Sequence, residues 1–149
     1  MSNIPHSSKP VAILWDEAHL WGLLVIRALK ALQIPLVVMR AAQIKDQGLE
    51  SLKPASLVVP GGWARLKSQA LGSQGRQAIG NYIALGGQYL GFCGGAGLGL
   101  ASEQHTPCLD LCSWSRKSTS ERLPNFSGHL YCQLTQNQHS QESCGCRRQ

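Results

Sequence analysis

A chain of 149 residues can bury one real core, and 43% hydrophobic against 15% charged residues excludes a disordered chain. No apolar run approaches the ~20 residues of a membrane span, and the polar stretch Met1 to Pro10 lacks the apolar core of a secretion signal. The net charge of +6 comes from scattered Lys and Arg with no basic stripe interleaved with aromatics, so it speaks for solubility rather than nucleic-acid binding. A cytoplasmic protein with reduced thiols and no membrane contact is the expectation.

Val11 to Asp16 is a continuous apolar run ending in acids, which suits a strand buried on both faces of a parallel sheet. His19 to Gln33 reads as a helix, with Leu20, Leu23, Leu24, Ala28, Ala31 and Leu32 as its apolar face and a narrow polar stripe of His19, Arg27 and Lys30. Such a helix is expected to be mostly covered. Pro35 stops it, and Leu36 to Met39 makes a second strand. Gln43 to Leu52 reads as a short helix or loop. Leu57 to Val59 is a third strand, closed by Pro60-Gly61-Gly62. Ala64 to Leu85 is a longer helical region, interrupted near Gly72 to Gly75 and ended by Gly86-Gly87. Tyr89 to Phe92 is the fourth strand. Strands alternating with helices predict a parallel sheet, with function gathered at the carboxyl ends of the strands.

The fourth strand runs into Cys93, with Gly91 before it and Gly94 and Gly95 after it. That is the form of a nucleophile elbow with Cys in place of Ser, a strained strand-to-helix turn that needs glycine neighbours. The helix after it would aim its first N–H groups near the sulfur, favouring thiolate and holding an oxyanion. The bland alternative is a buried structural cysteine. Asp16 and Glu17 either cap the helix that starts near His19 or point one carboxylate toward Cys93. Trp63 is either a core or lid aromatic, or one wall of a pocket.

After Ser102 the character changes. Leu109 to Trp114 and Gly128 to Leu134 are expected strands, and from Thr135 the chain is nearly all polar. The expected organisation is a polar segment over 1–10, an α/β domain over 11–134 and a polar tail over 135–149. Cys132, His139, Cys144 and Cys146 could form a metal site. Cys-Gly-Cys is tighter than the usual zinc spacing, so no metal and no cofactor are expected. Gly94 to Gly97 lacks the Lys-Ser/Thr of a phosphate loop and the full dinucleotide fingerprint.

Two pieces, Leu57-Val58-Val59-Pro60-Gly61-Gly62 and Gly86 to Ala96 around Cys93, resemble the class I glutamine amidotransferase-like superfamily. More narrowly, they resemble the amidotransferase-like domain at the N-terminus of some biotin–protein ligases. The resemblance implies a flavodoxin-like three-layer α/β sandwich with a mostly parallel sheet, expected to be C-terminally incomplete. It implies Cys93 as nucleophile and Gly61, Gly62 and Gly94 as oxyanion donors; Gly95 and Trp63 are expected beside them as further binding residues. It also implies a small-molecule amide or related substrate, and a link to a biotin ligase domain or protein. Active relatives use a Cys–His–acid triad. The best histidine for it is His129, opening the expected strand, with no His-x-Glu pattern. The alternatives are a non-catalytic small-molecule-binding or regulatory module, and a small single-domain cysteine hydrolase that uses Glu17. Oligomeric state is open.

Overall fold

The computed structural model describes residues 9–102 and 107–115. The elements are β1 (Val11–Leu14), α1 (His19–Ala31), β2 (Leu36–Met39), α2 (Ala41–Gln47), β3 (Ser56–Val59), α3 (Ala64–Ala84), β4 (Tyr89–Gly91) and α4 (Gly94–Leu98). The four strands form one sheet in the order β2-β1-β3-β4, all parallel. This is the three-layer α/β architecture that the alternation of strands and helices predicts.

The two faces of β1 are both buried, as its unbroken apolar run requires. Ala12 and Leu14 join Leu57 and Val59 on one face, packed with Ile44, Leu71, Ile79 and Tyr82 from α2 and α3. Val11, Ile13 and Val58 point the other way and meet Val25, Ile26 and Leu29 of α1.

Here α1 departs from expectation. Its sheet-facing stripe is Gly22, Val25, Ile26 and Leu29, while Leu20, Leu23, Leu24 and Leu32 stand exposed. A helix apolar nearly all round does not name its own buried face. Gly22 decides it, because a Cβ there would come within 3.0 Å of the Trp15 ring. The helix is therefore covered along one narrow stripe and exposed over the rest, rather than mostly covered.

α3 breaks at Gly72, whose φ of 58° and ψ of −170° are non-helical, at the position the sequence indicates. Gly86 at φ 89° turns the chain out of α3, with its N–H on the Ile83 carbonyl and the Gly87 N–H on the Tyr82 carbonyl. Gly87 is required for a second reason. A Cβ there would lie 2.4 Å from the Tyr82 ring, whose hydroxyl donates to the Pro54 carbonyl at 3.1 Å.

Leu109 to Trp114 is not a strand. It runs back along the end of α4, with the N–H groups of Leu109 and Leu111 on the carbonyls of Leu98 and Gly99 and that of Ala101 on Trp114. Its apolar residues satisfy a loop-to-helix contact instead of a sheet edge. The expected strand over 128–134 and the tail over 135–149 lie outside the described residues, as does most of the segment 1–10. No helix among the described residues is long and apolar enough to cross a membrane.

Candidate functional site at the carboxyl edge of the sheet

Strand order reverses between β1 and β3. The chain leaves β1 for β2 on one side and β3 for β4 on the other. In open parallel sheets that reversal opens a crevice at the carboxyl ends. The turns that emerge there are Asp16-Glu17 after β1, Gly61-Gly62 after β3 and Cys93-Gly94-Gly95 after β4. The structure therefore brings together the three sequence-predicted motifs.

They touch backbone to backbone. A Cβ on Gly62 would sit 1.9 Å from the Glu17 carbonyl oxygen, and one on Gly94 would sit 1.7 Å from the Gly62 carbonyl oxygen. A Cβ on Gly95 would meet the Val59 carbonyl at 1.9 Å. No side chain fits at these three positions without moving a loop. Gly91 is nearly as tight, 2.6 Å from the Gly95 carbonyl carbon. Glycine is needed here for close approach, and at Gly62 also for its φ of 115°.

Cys93 stands between β4 and α4 at φ 50°, ψ −110°, a conformation that a residue with a Cβ rarely adopts. Its thiol is exposed and free. The Phe92 N–H continues the ladder onto the Val59 carbonyl at 3.0 Å, and the Gly97 N–H returns to the Cys93 carbonyl at 2.9 Å. The elbow is thus pinned on both sides. The helix that follows has only five residues, a much weaker dipole than the sequence pattern suggests. Tyr89 fastens it, donating its hydroxyl to the Gly95 carbonyl at 2.6 Å. Burial, with neighbouring Cys108 adding to it, pushes the Tyr89 phenol well above its ordinary range, so it stays a donor.

The other predicted residues divide. The N–H of Gly95 is taken by the Phe92 carbonyl at 2.8 Å, so Gly95 contributes close packing rather than a donor to a ligand. The N–H groups of Gly61, Gly62 and Gly94 donate to no other backbone group among the described residues. Trp63 opens α3 in an extended conformation and is 74% exposed, beside a shallow recess with Arg65 and Leu66. It is neither a core residue nor enclosed. Neither acid caps α1, which begins after Ala18 without a side-chain cap. Asp16 instead accepts the N–H of Ala41 at 2.6 Å and so caps α2. Glu17 turns at φ 55° and its carboxylate lies 3.7 Å from the His19 imidazole, which is itself at φ 40° and 81% exposed. His129, His139, Cys132, Cys144 and Cys146 lie outside the described residues. Among the described residues no group of three metal-ligating side chains occurs.

Two residues at this edge escape a reading of the sequence. Trp21 of α1 lies over Gly61, its Cδ1 2.8 Å from a Cβ placed there. Lys67 in the first turn of α3 is fully buried, with its Nζ donating to the Asp16 carbonyl at 2.7 Å. Burial lowers its pKa to about 8, against the pull of the Glu17 and Asp16 carboxylates. A lysine after Arg65-Leu66 reads in sequence as a solvated charge, so only the fold reveals it. An open cleft of about 510 Å³ lies on the β2 side, lined by Trp15, Ile26, Val38, Arg40 and Gln43. None of the three converging turns lines it.

Comparison with known proteins follows the same geometry. Residues 32–105 match the family described as biotin-protein ligase, N terminal. The match runs from the end of α1 past the elbow and leaves β1 outside it. No curated protein matches by sequence. Among solved structures, one described as a candidate peptidase E protein from Listeria monocytogenes EGD-e superposes with a TM-score of 0.58 at 18% identity. The alignment covers 74% of this chain and 66% of that one. A second, described as a candidate GMP synthase component from Thermoplasma acidophilum, gives a TM-score of 0.41 at 23% identity over 61% and 43% of the two chains. The first likeness concerns the fold alone. Over residues 32–105 the chain thus carries the biotin-protein ligase N-terminal pattern, on the amidotransferase-like α/β fold that its Pro-Gly-Gly and elbow motifs resemble.

Proposed function

We propose that the carboxyl edge is a thiol-centred site for an amide or related acyl group, in a domain that serves alongside biotin-ligase chemistry. The observation that carries the reading is Cys93. An exposed sulfur sits on a left-handed backbone, between glycines that admit no side chain. Strain of this kind persists only where the surroundings over-determine it, and it gathers at functional sites.

In this reading the Cys93 sulfur adds to a carbonyl carbon. The N–H groups of Gly61, Gly62 and Gly94 receive the oxyanion. The tetrahedral adduct expels the amine with a proton, and water or an acceptor releases the acyl group from the thioester. His129 is the proposed proton carrier, and Glu17 the acid on the β1 side of the crevice.

Iodoacetamide near neutral pH tests the site, with the adducts mapped. Cys112 is an exposed control and Cys108 a buried one in the same molecule. Cys93 is expected to react on the order of tenfold faster than in the unfolded chain. Equal rates would sink the reading of an activated thiol. A second reading is a binding module without turnover; it draws support from the shortness of α4, whose five residues give little dipole to activate Cys93. A ligand held equally well by Cys93→Ala would favour that module. A trapped thioester would exclude it.

A further inference from the structure

Lys67 lies directly beneath the crevice, and the acyl chemistry above does not use it. Taking an ammonium out of water is costly, and such groups are rarely buried without a partner that needs them. The partner here is a main-chain oxygen, the Asp16 carbonyl at 2.7 Å. Asp16 is bound at both ends, because its carboxylate holds the Ala41 N–H. The next residue, Glu17, turns at φ 55° and sets its carbonyl against Gly62. The Lys67 stem passes the same glycine, its Cε 3.6 Å from a Cβ built there. Gly62 in turn rests its carbonyl on Gly94, next to the elbow cysteine.

We propose that Lys67 is a positioning residue of the carboxyl-edge site: its buried ammonium holds the Asp16 carbonyl, seats Glu17 on Gly62, and so sets the spacing of the crevice between the β1 and β3 turns. This rests on the reading of that edge as the functional site. A methionine would fill the same channel and cost nothing in desolvation, so filling the core does not explain a lysine. What lysine adds is a compact donor on a long stem, able to reach a carbonyl on another turn. Its lowered pKa of about 8 is consistent with burial, and near neutral pH the group is still mostly charged.

The test begins with the unaltered protein, its lysines labelled with ¹⁵N at Nζ and ¹³C at Cε. One lysine signal of the six in the chain should titrate near pH 8 and vanish in Lys67→Met. Six signals that all titrate like free lysine would overturn the proposal without recourse to any variant. Amide exchange in Lys67→Met comes next. Ala18 and Ala41, whose N–H groups lie on the Trp15 carbonyl and the Asp16 carboxylate, should lose on the order of tenfold in protection. Ile13 and Val58 in the sheet should keep theirs. Unchanged protection at Ala18 and Ala41, or equal loss across the whole sheet, would overturn the positioning role. Finally, Cys93 alkylation should slow in Lys67→Met about as far as in Glu17→Gln, and no further in the double variant. Additive losses count against the proposal. If wild-type Cys93 proves unreactive, the site reading fails by itself, and the lysine and amide signals still decide Lys67.

Discussion

The carboxyl edge of this sheet has a back and a front built on opposite principles. At the back, Gly62, Gly94 and Gly95 meet carbonyl oxygens at distances that leave no room for one more carbon. Lys67 is sealed below them. At the front, Cys93, Trp63 and Phe92 stand open to solvent with little packed against them. The back specifies geometry and tolerates nothing. The front presents open side chains and tolerates a good deal. A site that must hold a reacting atom in a narrow range of positions needs the first, and loops that receive a ligand need the second.

The largest expected effect breaks the back. Gly94→Ala puts a methyl 1.7 Å from the Gly62 carbonyl, a clash relieved only by parting two loops. It should cost more than about 4 kcal/mol in urea unfolding, or abolish folding. Gly80→Ala is the control. Gly80 lies in α3 with no atom within 4 Å of a new Cβ, and the change should stabilise by up to about 1 kcal/mol. Equal effects at the two glycines would mean that the close approach at the elbow does not exist.

Next comes pH. The folded pKa of Lys67 lies near 8 against 10.5 when unfolded, so between those values the unfolded chain binds more protons. The burial cost is therefore fully present below pH 8 and is relieved as pH rises toward 10.5. The stability of the wild type relative to Lys67→Met should climb across that window, by about 3 kcal/mol at most. Taking the difference between the two proteins removes the tyrosines and thiols that titrate in the same range. A flat difference would place the ammonium in water.

Much of this arrangement is readable from the residues alone. The glycines around Cys93 and after Pro60 announce close backbone approach, because no other residue type has that use at the end of a strand. The apolar runs of β1 to β3 and the break at Gly72 are equally plain. What stays hidden depends on partners far along the chain. Asp16 is as good a cap for the helix beside it as for α2, some 25 residues on, and only the fold says which N–H it meets. Lys67 carries no mark of burial in a polar stretch. The exposed row Leu20, Leu23 and Leu24 has the look of a core stripe because α1 is apolar on several sides, and Gly22 outvotes it. Leu109 to Trp114 has the composition of a strand, but its backbone is paired to the end of α4 instead.

The elbow itself offers the third test. Cys93 carries strain in its left-handed backbone, which glycine would not. Cys93→Gly should gain about 1 kcal/mol in stability while abolishing any thiol chemistry. A loss instead of a gain would mean that the side chain is packed, contrary to its exposure.

The smallest effect concerns two of the four tryptophans and sharpens the contrast between front and back. Trp63 follows Gly61-Gly62 in sequence, yet its indole is mostly in solvent, so Trp63→Ala should change stability by no more than about 0.5 kcal/mol. Trp21, distant in sequence, lies on Gly61 itself. Fluorescence separates them. Emission lost in Trp63→Phe should be the part most readily quenched by acrylamide, whereas emission lost in Trp21→Phe should be better shielded on one ring face. A ligand drawn to the Gly61 side of the crevice would then protect Trp21 more than Trp63. The reverse order would make Trp63 a lid that closes on the ligand, and the front of the site would be less passive than its open side chains suggest.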